Sequence, residues 1–367
     1  MMAENMRRLR GLHLLILIGA TTALIAGCTA PGDTEQGDDG ASSASASAEP
    51  ECDAEETISY VCGLQNAEDL VRVGTTPWLL ASNLVAGGTP GAGKISLIDS
   101  EEKVAEEFFP GETPALSNDA TMFPNCPSID LEHLEVHGLS IRETAPGMFR
   151  LYATTHGAVE AIQAWEIDAT GDKPQPTWVG CVPLPSDVYA NSVAMLSDGG
   201  FVTTKFLDPT NADRFGAIDR GEVNGGVYEW HPGGSVTAVP GTELSGANGI
   251  EVSADERYIF VTAYGTDEIV QFDRSASPAA KVSTPVDIAP DNLRWTEDGT
   301  LLVAGVNSSP GTGWSVFEIT PSDLTATKVA GYPVDVWLQK ASTALAVDDE
   351  VWIGTWSGDR VGYYPAP

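Results

Sequence analysis

The chain has few basic residues and few recognisable catalytic motifs. Lys and Arg number 19 against 52 Asp and Glu, and the formal net charge is −33 at pH 7. Nucleic-acid binding needs basic patches that neutralise phosphates, so this composition excludes a nucleic-acid partner. The GxSxG, P-loop, HExxH and Rossmann glycine patterns are also missing from the sequence. The chemistries that depend on those motifs therefore gain no support here.

Long apolar runs are scarce, and the one that is present lies at the N-terminus. Arg7, Arg8 and Arg10 precede the run LHLLILIGATTALIAG, which ends at Cys28. This order resembles a bacterial lipoprotein signal over residues 1–28, with lipid attached to Cys28; an ordinary signal peptide or a membrane anchor is the alternative. Residues 29–55 are rich in Ser, Ala, Gly and Asp, which predicts a disordered tether. We therefore expect an extracytoplasmic protein, lipid-anchored to the bacterial cell envelope and touching the membrane only through that lipid.

Cysteine is rare too. Apart from Cys28 there are Cys52, Cys62, Cys126 and Cys181, an even number that suits an oxidising compartment. Of the three possible pairings we favour Cys126–Cys181 with Cys52–Cys62. A zinc site is the weaker alternative, because no CxxC or paired histidine accompanies these cysteines.

A repeating β pattern fills the chain from about residue 56 to the end. Short alternating strands are separated by Gly, Pro, Asp and Asn turns, with little helical periodicity. Six units of roughly 50 residues follow one another, with anchors near Glu68, His137, Asn191, Asn248, Asn292 and Ser342. The pattern predicts an all-β fold, a six-bladed β-propeller in one domain over residues 56–367, with an inserted loop around 103–132. A two-domain β protein is the alternative.

Carboxylate and amide residues recur at matched places in these units. Side chains at the same position of successive blades converge on the propeller axis, and grouped oxygens of this kind suit a hard cation, Ca²⁺ first among them. Mg²⁺, Mn²⁺ or Zn²⁺ are alternatives for such a site. Each residue taken alone is instead typical of a turn that caps a strand.

The order of motifs along the chain resembles that of a known family. EDL, GKISLID, HGLS, ATTH, NSVAML, ANGIEVSADERYIFVTA, DNLRW and LQKASTALAVDDEVWIGT follow one another between about residue 60 and the C-terminus. Together they resemble the calcium-dependent six-bladed propeller lactonases of the paraoxonase/arylesterase branch, which is related to the gluconolactonase and senescence-marker proteins. The resemblance implies a calcium-dependent hydrolase of lactones or of aryl and other activated esters.

The resemblance also implies the site residues. The ligands of the catalytic calcium would be Glu68, Asn191, Asn248, Asp291 and Asn292. A second, structural ion would use Asp69 and the carbonyl of Leu139, but Ser192 stands where the family has an acidic residue, which predicts a weakened second site.

His137 and His156 match the family's catalytic dyad, in which one imidazole accepts a proton from water and the other orients it. The alternatives are that His137 is an interior histidine bonded to a carbonyl, or that an ion-activated water or a carboxylate serves as base.

Three departures from the family bear on the fold and the pocket. The C-terminal RVGYYPAP has no cysteine, so we expect the ring to close by pairing between the ETISYV region and the last blade. Residues 307–310 replace a histidine that related enzymes often place at the pocket. Trp295, Trp337 and Trp356 are candidates for the pocket wall or for packing between blades.

Two rival functions remain beside the hydrolase of lactones or esters. The first is a non-catalytic propeller that keeps calcium as a structural pin and binds a ligand or protein; it has no need for both His137 and His156. The second is a gluconolactonase-type hydrolase of sugar lactones, which predicts an Arg-containing pocket. The channel-facing segments contain few Arg, which favours hydrophobic lactones as the small-molecule substrate.

Overall fold

A computed structural model describes residues 52, 54–55, 57–85, 93–334 and 336–366. The predicted signal segment, Cys28 and almost all of the predicted tether lie outside the described residues. From Cys52 onward the chain forms one compact unit. Within the described part, no helix has the length and apolar character needed to cross a membrane.

The described residues form almost only strands, with one short helix among them, α1, at Arg214–Asp219. The strands, numbered in chain order, are β1 Ser59–Cys62, β2 Ala67–Arg72, β3 Trp78–Asn83, β4 Lys94–Asp99, β5 Val104–Phe109, β6 Ala115–Leu116, β7 Glu135–Ala145, β8 Met148–His156, β9 Ala161–Asp168, β10 Gln175–Pro183, β11 Tyr189–Met195, β12 Phe201–Leu207 and β13 Gly226–Trp230. They continue as β14 Thr237–Ala238, β15 Ala247–Val252, β16 Tyr258–Ala263, β17 Glu268–Asp273, β18 Ala280–Pro285, β19 Ile288–Trp295, β20 Leu301–Asn307, β21 Trp314–Thr320, β22 Thr325–Tyr332, β23 Ala341–Val347, β24 Glu350–Thr355 and β25 Arg360–Pro365.

These strands form six antiparallel sheets, which are the six blades of a β-propeller. In chain order the sheets are β2-β3-β4-β5, β7-β8-β9-β10, β11-β12-β13-β14, β15-β16-β17-β18, β19-β20-β21-β22 and β23-β24-β25-β1. The short β6 adds a parallel edge to β10 in the second blade. The predicted fold class is therefore confirmed.

The ring closes by strand pairing, as expected from the missing C-terminal cysteine. β1 pairs antiparallel with β25, from Ser59 opposite Tyr363 to Cys62 opposite Arg360. A disulfide between Cys52 and Cys62 fixes the chain just before and at the end of this strand. The N-terminal β1 thus becomes the outermost strand of the last blade, and backbone hydrogen bonds join the two ends of the ring.

The insertion between the first two blades begins later in the sequence than predicted. Residues 104–109, which the sequence placed in the inserted loop, form β5, and the loop itself covers 110–134. Its Cys126 forms a disulfide with Cys181 of β10, as favoured from the sequence. The disulfide therefore attaches the insertion to the outer strand of the second blade.

The core lies between the blades rather than at one centre. Among the described residues, six apolar clusters occur, and each joins two neighbouring blades. Fully buried Trp165, Trp314 and Trp352 contribute to three of these interfaces. Because both faces of every blade pack against a neighbour, buried strands read as nearly continuous apolar runs.

All six inner strands break register at the same step. The ladder with the second strand skips the pairs 68–69, 137–138, 191–192, 248–249, 291–292 and 342–343. Threonine hydroxyls of the second strand then donate to the backbone of the next blade: Thr154 to the Asn191 carbonyl at 2.7 Å, and Thr204 to that of Asn248 at 2.6 Å. The six anchors identified from the sequence are thus the positions where the inner strands leave the ladder and line the channel.

Candidate functional site

Five carboxylate and amide oxygens in the channel have no hydrogen-bond partner among the described residues. They are Glu68 Oε2, Asn191 Oδ1, Asn248 Oδ1, Asp291 Oδ1 and Asn292 Oδ1. Their residues are at most 6% exposed and all lie in the register-breaking steps of the inner strands. A buried polar atom without a partner costs about 1–3 kcal/mol, so such a group is stable only if something else satisfies it. These five residues are the complete set of calcium ligands implied by the sequence resemblance.

Two contacts fix the direction of the Asn292 amide. Its Nδ2 donates to Glu68 Oε1 at 2.7 Å and to Thr343 Oγ1 at 3.1 Å. Because Nδ2 is held by these acceptors, the Asn292 oxygen lies on the opposite side of the amide and stays free. The same contact leaves the second carboxylate oxygen of Glu68 available.

The carboxylates of this group are hard to ionise together. Burial raises the pKa of Asp291 to about 8, with the charge of Asp69 acting in the same direction. Burial, followed by the charges of Asp291 and Asp69, raises the pKa of Glu68 well above its ordinary value. A cation would remove this penalty, because an opposite charge favours the ionised form of a carboxyl group.

The donor set suits calcium better than a transition metal. The described residues contain no group of three or more His, Cys, Asp or Glu side chains that could hold a metal ion. The converging group instead has three amides and two carboxylates, all oxygen donors, which Ca²⁺ accepts with loose geometry. The residues present therefore fit the ion that the resemblance implies.

Two histidines lie against this group and contact each other. His137 Nδ1 and His156 Nε2 are 2.9 Å apart, with the rings inclined by 66°. His137 Nε2 faces the channel, 3.4 Å from Asn191 Nδ2 and 3.7 Å from Glu68 Oε2. Burial, with the neighbouring His156, lowers the pKa of His137 well below its ordinary value, so this imidazole is neutral.

A third residue, which the sequence analysis missed, continues the chain of contacts. His156 Nδ1 lies 2.9 and 3.0 Å from the two carboxylate oxygens of Glu160. The His156 ring also stacks on Tyr189, with centroids 4.0 Å apart and planes inclined by 6°. The signal was the spacing in HGAVE, where a carboxylate follows His156 by four residues across the turn from β8 to β9.

These contacts determine the tautomers by inference from the hydrogen-bond network. The Glu160 carboxylate accepts, so the proton of His156 is on Nδ1 and its Nε2 has a free lone pair. That lone pair accepts from His137 Nδ1–H. His137 Nε2 is then an unprotonated nitrogen that faces the channel and accepts from Asn191 Nδ2 at 3.4 Å, and an unprotonated nitrogen is the form that a general base needs.

Asp69 and Leu139, which were expected to bind a second ion, also come together, but both contact the side chain of Arg294. The Asp69 carboxylate accepts from the Leu139 amide at 2.7 Å and from Arg294 Nη2, and the Leu139 carbonyl accepts from Arg294 Nη2 at 2.9 Å. Ser192 Oγ is buried without a partner among the described residues. The sequence analysis missed Arg294; its signal was a charge two residues after Asn292 in an inner strand, hence on the same face.

The tryptophan candidates lie in different environments. Trp295 lies beside a cavity of about 630 Å³ that Arg294 and Glu251 also line. Its Nε1 donates to the Val252 carbonyl at 2.9 Å, so it serves packing between blades. Trp337 is 58% exposed, on the segment that leads into β23.

The architecture and the channel residues define a class: a six-bladed β-propeller with an oxygen-lined channel. No protein-family model matches the chain, and no curated protein matches its sequence. The fold does match solved structures. A gluconolactonase from Xanthomonas campestris has a TM-score of 0.54 at 18% identity, covering 84% of this chain and 89% of that one.

Two further structures are similar over the same share of this chain. A luciferin-regenerating enzyme has a TM-score of 0.51 at 14% identity, covering 84% of this chain and 92% of that one. Regucalcin from Agrobacterium tumefaciens, described as a calcium-binding protein, has 0.51 at 10% identity and covers 84% and 93%. At these identities the similarity shows the fold alone. The paraoxonase-like assignment made from the sequence stays a prediction.

Proposed function

We propose that this chain is a calcium-dependent hydrolase of lactones or of aryl and other activated esters. The observation that carries the proposal is the set of five unpartnered channel oxygens beside His137 Nε2. The names of the similar structures, a gluconolactonase and a calcium-binding protein, support the same reading. A propeller that kept an ion only as a structural pin would have no use for the His137–His156–Glu160 chain.

The proposed ion would be held by Glu68, Asn191, Asn248, Asp291 and Asn292. When bound, it supplies a Lewis acid for the substrate carbonyl oxygen. Two carboxylates balance the charge of a divalent cation without excess negative charge, and the three neutral amides leave the ion able to attract a carbonyl oxygen. The hydrogen bond from Asn292 Nδ2 to Glu68 Oε1 leaves Asn292 Oδ1 and Glu68 Oε2 available before the ion binds.

The side chains of this protein then move the proton. His137 Nε2 accepts a proton from a water molecule, and the water oxygen forms a bond to the carbonyl carbon. His156 and Glu160 disperse the charge that His137 gains, because each accepts a hydrogen bond from the group before it. When the carbon–oxygen bond to the leaving group breaks, that oxygen takes the proton back from His137.

For location, we propose that Cys28 carries a lipid and that residues 29–55 connect it to the propeller. Labelling of bacterial cells with a radioactive fatty acid tests this, with Cys28→Ser as the comparison. Label retained in Cys28→Ser would contradict the proposal.

The function is tested by hydrolysis of a panel of lactones and phenyl acetate, with Ca²⁺, after chelation and after re-addition. His137→Gln is compared with His133→Gln, an exposed histidine paired with Asp130 outside the channel. We expect activity that depends on Ca²⁺ and falls at least 100-fold in His137→Gln only. Equal activity in both variants would remove His137 from the mechanism. Turnover of no substrate, with chelation lowering only the melting temperature, would favour the structural pin.

A further inference from the structure

Arg294 is buried in the channel with all its donors used. The side chain is 4% exposed and follows Asn292 on the channel-facing side of β19. Its five N–H groups reach Leu70 O at 3.0 Å, Leu293 O at 2.9 Å, Leu139 O at 2.9 Å, Glu251 Oε1 at 3.2 Å and Asp69 Oδ2. A guanidinium has five such donors, so the group is fully satisfied.

The acceptors around Arg294 form an oxygen cage drawn from four blades. Three are backbone carbonyls and two are carboxylates, and they belong to β2, β7, β15 and β19. Carbonyl and carboxylate oxygens in this mixture are what Ca²⁺ binds, at about 2.3–2.6 Å. Asp69 and the Leu139 carbonyl are also the two groups that the resemblance assigned to a second ion.

The guanidinium and a second ion exclude each other. Nη2 of Arg294 lies within hydrogen-bonding distance of both Asp69 Oδ2 and Leu139 O. An ion close enough to bind both oxygens would overlap this nitrogen. Of the three groups expected at the second site, only the Ser192 hydroxyl is left without contact to Arg294 or another partner in the described part of the chain.

We infer that the guanidinium of Arg294 is the second cation of this channel, so that the chain binds one metal ion and not two. Arg294 is always charged and covalently attached, whereas a metal ion exchanges with solvent. The guanidinium therefore stays between Asp69 and Glu251 when calcium is chelated. The inference rests on the proposed ion at Glu68 only for the total count of ions.

The test counts bound Ca²⁺ in the purified protein, by equilibrium dialysis with radioactive calcium, for wild type and Arg294→Ser. Arg294→Ser opens the cage and leaves Asp69 without its counter-ion. We expect one ion per chain in wild type and two in Arg294→Ser. We also expect Arg294→Ser to lose thermal stability in chelator and to recover it as Ca²⁺ is added. Arg142→Ser is the matched control, since Arg142 lines the same cavity of about 630 Å³ as Arg294 but pairs with Glu256.

Two further results decide the matter. The double variant Asp69→Asn, Arg294→Met removes the buried Asp69–Arg294 ion pair as a unit, so it should fold and bind the same number of ions as wild type. Two ions per chain in wild type, or no additional ion in Arg294→Ser, would overturn the inference. So would Arg294→Ser that stays unfolded at every Ca²⁺ concentration, because a cation then does not replace the guanidinium. If wild type binds none and Arg294→Ser binds one, the proposed calcium at Glu68 fails while the role of Arg294 stands.

Discussion

The substitution Glu68→Gln should have opposite effects on stability with and without calcium. Glu68 is 1% exposed, and its pKa is raised by burial and by the charges of Asp291 and Asp69. Glutamine keeps the shape and the acceptor for Asn292 Nδ2 but removes one of the clustered negative charges. In chelator we therefore expect Glu68→Gln to gain about 1–3 kcal/mol, the usual size of an uncompensated buried polar group.

With calcium the order reverses. An ion present at about 1,000 times its dissociation constant adds about 4 kcal/mol to wild type. For a folded unit of this size about 1 kcal/mol corresponds to roughly 2 °C, so wild type should gain roughly 8 °C. Loss of a carboxylate ligand should weaken binding about 1,000-fold, which is about 4 kcal/mol and exceeds the gain of about 1–3 kcal/mol in chelator. The melting curve of Glu68→Gln should thus lie above wild type in chelator and below it in calcium.

Thermal denaturation followed by circular dichroism across a Ca²⁺ titration measures both effects. Glu135→Gln is the matched control, a partly buried glutamate at the start of β7, two residues before His137. It should change neither the slope nor the midpoint of the calcium response. Equal destabilisation of Glu68→Gln in chelator and in calcium, or a wild type that ignores calcium, would refute the reasoning.

Three other predictions follow from single contacts. Glu160→Gln should lower kcat about tenfold or more, with little change in KM, because the His156 tautomer is no longer fixed. It should also shift the pH profile of kcat. An unchanged pH profile would contradict the tautomer assignment. Thr262→Val should cost about 1–3 kcal/mol in urea denaturation, since Thr262 Oγ1 donates to the buried Asp291 carbonyl at 2.5 Å; a loss below about 0.5 kcal/mol would show that the contact is dispensable. Burial, which outweighs the attraction of Arg294, raises the pKa of Glu251 to about 7. Between the ordinary and the raised pKa of Glu251, the folded state keeps a proton that the unfolded state has lost. The contribution of Glu251 to the free energy of unfolding is therefore largest below about pH 4.5 and falls by up to about 3 kcal/mol towards pH 7. Glu251→Gln should flatten that part of the pH–stability curve, and an unchanged slope would contradict the shift.

The sequence was sufficient for the ring and its anchors because both follow from local periodicity. Each anchor precedes an alternating run that ends in a turn, as Asn248 does before IEVSADERYIFVTA, and one position per blade is enough to place a residue on the axis. The pairing of β1 with β25 was predictable because the C-terminal RVGYYPAP has no cysteine, so strand pairing with the ETISYV region must close the ring.

What the sequence could not give was the partner of each channel side chain. Arg294 reads as one polar residue in an alternating strand, and only the assembled channel shows that Leu70, Leu139 and Asp69 surround it. Glu160 lies near His156 in sequence, but a carboxylate at that spacing in a turn is usually solvated. The boundary of the insertion was missed because EEKVAEEFF carries charges on its exposed face, as the exposed Glu106 and Glu107 of β5 show.

The pairing of Ser59–Cys62 with Arg360–Pro365 also constrains how the protein reaches its native state. Strand β1 can find its partner only when residues roughly 300 positions later are available, and contacts of such long range make folding slow. During synthesis the N-terminal strand must wait until nearly the whole chain has emerged. A chain cut short within the last blade would lose the outer half of that sheet, leave β1 unpaired and expose strand edges to aggregation. The last blade, and with it the closed ring, therefore forms only when both β1 and β25 are present.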